Sequence, residues 1–137
     1  MSIDRNVLSE GMRMGDWGAK AWESDEAADW FHRFWKEGWA LVEQEIEAFD
    51  PAEERFESLR AAAHVLESFG NPFMAPTDFS GKLAGWLERS EEILRAMIDP
   101  NDRWGFREMC TSDPTIVAAV EDQIGGLRKR RLALTRS

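Results

Sequence analysis

Helix punctuation constrains this chain more than any other feature. At two expected helix starts, Asp50-Pro51 and Asp113-Pro114, an aspartate stands directly before a proline. An aspartate side chain can accept from the free N–H groups of a first helical turn. Proline lacks an N–H and has φ preset at about −65°, so it fits the first helical position. Glu53 follows Asp50 at the spacing of a capping box. Pro72 and Pro100 stand where a helix must stop, because an interior proline removes a bond and clashes with the preceding turn. Between these marks apolar residues recur at helical spacing, and no run alternates as a half-buried strand would. The chain is therefore expected to be all-α.

Four main helices follow from the spacing. The first starts after Ser24, with Asp25 and Glu26 in a first turn whose dipole favours anions. Its apolar positions are Ala27, Trp30, Phe31, Phe34, Trp35, Leu41, Val42, Ile46 and Phe49. At about 100° per residue they fill roughly half the circumference, which predicts a central helix. Gly38 predicts close packing or a kink within it. The second helix is expected from Pro51 to Gly70, with Phe56, Leu59, Ala63 and Leu66 as its stripe. The third covers residues 80–98 with Leu83, Trp86, Leu87, Leu94 and Met97 on one face. A short helical piece falls over residues 102–109. The last begins at Pro114, with Val117, Val120, Ile124 and Leu127 inward, and Gly125-Gly126 either ends or weakens it. Short connections favour a compact antiparallel bundle-like packing, preceded by a lead-in rich in Trp and Gly.

At 137 residues the chain has the size of one ordinary domain and can bury a core without disulfide or metal staples. Cys110 is its single cysteine, so no intramolecular disulfide forms, and an inert, buried thiol is expected. No apolar run approaches the roughly 20 residues of a membrane helix. The first ten residues carry charges where a signal peptide needs an apolar centre. A cytoplasmic location is the expectation, with no membrane partner.

Charge is unevenly placed. The chain has 17 basic and 26 acidic residues, a net charge of −9. Acids crowd residues 23–57, where Arg33, Lys36 and Arg55 are the only cations. Such a face either keeps a protein in solution or receives a basic protein partner, as immunity and antitoxin proteins do. The Arg128-Lys129-Arg130-Arg131 run reads as a solvated helix end, or one that docks on an acidic surface. Nucleic acid is not the expected partner, because the net charge repels a polyanion.

Before the first helix the chain reads Met14-Gly15-Asp16-Trp17-Gly18, then Trp22-Glu23-Ser24-Asp25-Glu26-Ala27-Ala28-Asp29. This resembles the opening of an uncharacterised bacterial family, catalogued as domain of unknown function 4259. Members begin Met-Gly-x-Trp-Gly and continue with an aromatic, Glu, Asn and acids. Ser24 stands at the usual Asn position, and either side chain can cap a helix. The resemblance implies that residues 1–13 are an extension and residues 14–137 a single domain. It implies no activity.

No nucleophile elbow, phosphate-binding glycine loop or His-Glu-x-x-His motif is present, so no catalytic residue is assigned. Asp25, Asp29 and His32 fall on one helical face, yet acids in a first turn are expected from the dipole alone, and neither a metal nor a cofactor is assigned. Glu45 projects into the apolar sector of its helix. It is either a buried carboxylate with a raised pKa, or one that is turned to solvent or held in an ion pair with an arginine such as Arg60 or Arg95. Trp17, Trp22, Trp30, Trp35 and Trp39 crowd one stretch and either cover the core or line a pocket or patch. The expected binding residues are Trp17, Trp22, Asp25, Asp29, Trp39 and Glu45. The leading expectation is a non-catalytic interaction module, in its sharpest form immunity- or antitoxin-like, using the acidic, Trp-rich first helix. The alternative is a small-molecule-binding domain or weak enzyme with a Trp-lined pocket.

Overall fold

The computed structural model describes residues 25–72 and 74–135, and every regular element among them is helical. The elements in chain order are α1 (Asp25–Glu47), a 3-10 turn (Pro51–Glu53), α2 (Phe56–Phe69), α3 (Thr77–Ser80), α4 (Leu83–Met97), α5 (Phe106–Met109) and α6 (Pro114–Thr135). No strand occurs among the described residues. The chain gathers into two compact units, Met1–Glu37 and Gly38–Ser137. Residues 1–13, expected as an extension, lie outside the described residues.

The core of the second unit is built on α2, α4 and α6. The expected stripes of α2 (Phe56, Leu59, Ala63, Leu66) and α4 (Leu83, Trp86, Leu87, Leu94, Met97) are buried at every position. Each such large side chain contributes about 2 kcal/mol relative to an exposed one. In α6, Val120 and Leu127 are buried while Val117 and Ile124 are half-buried.

Polar groups do much of the joining of α2 to α6. Arg60 Nε donates to Gln123 Oε1 at 2.7 Å, and Gln123 Nε2 donates back to the Arg60 carbonyl at 3.0 Å. Further along, the Arg130 guanidinium donates to the Glu67 carbonyl at 2.9 and 3.1 Å and to that of Ser68 at 3.3 Å. Carbonyls in the last turn of a helix lack intrahelical partners, and a cation there also meets the negative end of the dipole. Residue numbers rise together across this contact, so α2 and α6 run parallel. The antiparallel expectation applies to consecutive helices, and these two are separated by three others.

Helix α6 continues through Gly125-Gly126. A Cβ on Gly126 would run into the Glu67 side chain, whereas one on Gly125 meets no described atom within 4 Å. Gly125→Ala is therefore expected to stabilise the protein by about 1 kcal/mol through helix propensity alone. Thermal unfolding reads this directly, and a lowered midpoint would show that the site is crowded.

Two helix starts differ from expectation. Asp50 does cap, accepting from Ala52 N at 3.0 Å, but what it caps is only the 3-10 turn. Glu54 then takes a left-handed conformation (φ 55°) and α2 begins at Phe56. That step re-aims the chain and lets Phe56 pack with Phe49, Trp104 and Phe106. Likewise the short helix starts at Phe106, because the Asp102 carboxylate accepts from Arg107 N at 2.9 Å and Glu108 N at 3.1 Å.

Helix α1 departs furthest from its expected central role. Trp39, Val42 and Ile46 are buried, but Leu41 is 68% exposed. At about 100° per residue Leu41 and Trp39 lie roughly 160° apart, at the two edges of the wide apolar sector, and the Trp39 edge packs inward. Trp39 stacks on Trp86 of α4 at 6.3 Å. Glu47 accepts from Trp86 Nε1 at 2.8 Å, and Glu43 pairs with Lys82, holding that ammonium above its ordinary pKa range. A Cβ on Gly38 meets no described atom within 4 Å, so the expected close packing is absent. In the first unit Trp30 stacks on Phe34 at 5.5 Å, and the two are 52% and 56% exposed.

Among the described residues one carboxylate is buried in the core. Glu91 of α4 pairs with Arg131 of α6 through two guanidinium nitrogens, and with Arg95 at 3.3 Å. Beside it in sequence, the Ser90 hydroxyl is fully buried with no hydrogen-bond partner among the described residues. An unsatisfied buried hydroxyl costs free energy, so Ser90→Ala is expected to raise stability by about 1 kcal/mol in urea unfolding. A loss of that size would reveal a partner for the hydroxyl.

Candidate functional site

The second unit carries an open groove between the C-terminal half of α1 and helix α2, with a volume of about 660 Å³. Its α1 wall is Gly38, Leu41, Val42, Gln44 and Glu45, continued by Ala48 just past the helix end. Its α2 wall is Ser58, Ala61, Ala62 and Val65. The depth has a simple origin. Helix α1 turns Trp39 and Ile46 inward to α4, which leaves its Leu41 side facing α2 across residues too short to fill the space. The Ala61-Ala62 pair supplies no side chain beyond Cβ, and Gly38 supplies none at all.

The connection between the helices closes one end with polar groups. Arg55 Nε donates to Glu45 Oε2 at 3.0 Å and Arg55 Nη2 to Oε1 at 2.9 Å, a bidentate pair. The hydrogen bond first, and then the charge of Glu45, hold the guanidinium more firmly in its charged form. The Glu45 side chain is 18% exposed against 55% for Arg55. Glu45 is thus the ion-paired carboxylate of the two expected alternatives, but its partner is neither Arg60 nor Arg95. Arg60 is occupied with Gln123 and Glu57, and Arg95 with Glu91. The turn at Glu54 delivers Arg55 instead. Asp50 and Glu53 complete the polar end.

The other expected site residues do not join Glu45. Trp39 is core, 2% exposed, and lines no part of the groove; its place opposite Leu41 on α1 dictates this. Asp29 is exposed in the first unit. Trp17, Trp22 and the side chain of Asp25 lie outside the described residues, as does most of the segment that carries the family resemblance. Sequence reasoning missed Leu41, Arg55 and Val65. The one available signal was the run Ala61-Ala62-Ala63, which is too small to fill a helix interface on both faces.

Much of the acidic stretch is engaged within the fold. Glu43, Glu45 and Glu57 are ion-paired, Glu47 takes the Trp86 N–H and Asp50 caps a turn. Glu53 and Glu54 stand exposed. The basic run divides in the same way. Arg130 and Arg131 serve the α2 and α4 contacts, so that part is not a solvated helix end, while Arg128 and Lys129 are exposed. Cys110 is half-buried rather than buried, and its thiol faces the Arg107 carbonyl at 3.6 Å. Among the described residues no three His, Cys, Asp or Glu side chains converge to hold a metal ion. No described helix is long and apolar enough to cross a membrane. Comparison with protein-family models, with curated proteins and with solved structures finds no match for this chain.

Proposed function

We propose that the protein is a non-catalytic interaction module that receives a segment of a partner protein in the groove between α1 and α2. The observation that carries this reading is Leu41, a large apolar side chain 68% exposed on the lip of an apolar cleft. Covering it removes apolar area from water at roughly 25 cal/mol per Å². The groove volume lies within the range of about 300–1,000 Å³ typical of small-molecule sites, but such sites enclose about 70–90% of their ligand. Here Leu41, Gln44, Ala48, Glu53 and Ala61 all stand exposed along the walls. A partner that lies along the groove and covers it from outside fits this shape better than an enclosed small molecule.

The test uses a photoreactive side chain at Ala61, within the groove, and another at Lys129, on α6. In cells of the source organism a discrete cross-linked adduct is expected from position 61 and not from 129. Adducts alike at both positions, or none at 61, would reject the groove. Leu41→Gln is expected to weaken partner binding about tenfold. Its unfolding free energy should change by no more than about 0.5 kcal/mol, as for other exposed positions.

A further inference from the structure

We infer that the occupant of the groove is an amphipathic helical segment with a lysine or arginine beside its apolar stripe, the cation seated at the Asp50–Glu53 end. This deepens the docking reading and rests on it. The wall from Gly38 to Ala48, helical as far as Glu47, runs about 15 Å at 1.5 Å per residue, which suits two to three turns of a helix laid alongside. The walls offer short side chains (Ala48, Ala61, Ala62, Val65), so the space accepts larger apolar residues from outside at helical spacing.

The polar end sets the sign of the partner's charge. The connection leaves the negative C-terminal end of α1 and enters the positive N-terminal end of α2, and these partial charges oppose one another. Glu45 and Arg55 likewise neutralise each other in their bidentate pair. The carboxylates of Asp50 and Glu53 remain, and only one oxygen of Asp50 is engaged, by Ala52 N. The groove is thus apolar along its length and negative at one end. Arg55 also lies within electrostatic reach of Glu53, but one cation against Glu45, Asp50 and Glu53 leaves this end net negative, so an acidic segment is repelled there and a basic one attracted.

The test measures fluorescence anisotropy of three labelled helical peptides of about four turns. One has leucines at i, i+3 and i+7 with lysines flanking them. The second replaces the lysines by glutamates, and the third replaces the leucines by serines. The Leu/Lys peptide is expected to bind the full chain, and the other two roughly tenfold more weakly or worse. Glu53→Lys should weaken the Leu/Lys peptide by about tenfold at low salt, with the difference shrinking as salt rises. Leu41→Gln, which changes no charge, should weaken it as well. If the Leu/Glu peptide binds equally and Leu41→Gln weakens both, the cation is wrong and the groove stands. If Leu41→Gln changes nothing, the peptide binds elsewhere and the docking reading falls too. Binding of none of the peptides overturns the helical occupant. Sedimentation of the protein alone adds one more outcome: self-association abolished by Leu41→Gln would put a second copy in the groove in place of this partner.

Discussion

Trp86→Ala is expected to destabilise the protein by about 4 kcal/mol, a large part of the 5–15 kcal/mol that holds a typical domain together. The indole is 3% exposed. It stacks on Trp39 at 6.3 Å, packs on Phe79 at 5.8 Å and donates Nε1–H to Glu47 at 2.8 Å. Truncation therefore leaves a cavity, removes two aromatic contacts worth about 0.5–1.5 kcal/mol each beyond their area, and strands one hydrogen bond. Two of the three partners are on α1, so the loss also loosens one wall of the groove. Urea unfolding followed by far-UV circular dichroism checks the magnitude. Trp86→Phe keeps an aromatic body and loses the Glu47 bond, so it should cost about 1–2 kcal/mol. A loss for Trp86→Ala equal to that of the phenylalanine variant would mean that the stacking contributes nothing.

The second large effect is at Glu91. Its side chain is 2% exposed, whereas Arg131 and Arg95 are 29% and 54% exposed. Glu91→Ala is expected to cost about 3 kcal/mol, from the lost pair and from the space left between α4 and α6. The asymmetry of exposure gives a sharper expectation. Without Glu91 both arginines can turn toward water. Without Arg131 a carboxylate stays buried, with only the 3.3 Å contact of an exposed Arg95 to balance it. Arg131→Met should therefore lower the unfolding midpoint more than Glu91→Met. The double variant should recover most of that loss, because buried pairs replaced by apolar residues of similar volume are often neutral. A double variant as unstable as Arg131→Met alone would show that Glu91 is not what that arginine neutralises.

The sequence was most legible where one face of a helix meets the core and the other meets water. The stripes of α2 and α4 are of that kind, and every residue expected inward is buried. Caps were legible too, at Asp50 and at Asp113, which accepts from Thr115 N at 2.8 Å, but a cap specifies only that donors are satisfied and not how far the helix continues. The left-handed step at Glu54 therefore had no signature, and with it went the partner of Glu45. Helix α1 misled for a different reason. Its apolar residues form one wide sector with Leu41 and Trp39 at opposite edges, and only packing against Trp86 decides that the Trp39 edge goes inward while Leu41 stays out. The groove inherits this. It is a space bounded by small residues on two helices, and a space has no residue of its own to read.

The stitching of α2 to α6 has a consequence of a mechanical kind. The inward stripe of α6, Val117, Val120, Ile124 and Leu127, repeats every three or four residues, so apolar packing alone indexes it weakly against its neighbours. After a lengthwise slip of one turn, about 5.4 Å, one aliphatic side chain of the stripe would stand near the place of the next. Gln123 against Arg60, Arg130 against the last carbonyls of α2 and Arg131 against Glu91 do not permit it. Each is a directional bond that a one-turn slip would break, and Glu91 would then lie buried and uncompensated. The polar residues of α6 act as a detent: they add modestly to the depth of the native state and a great deal to its uniqueness.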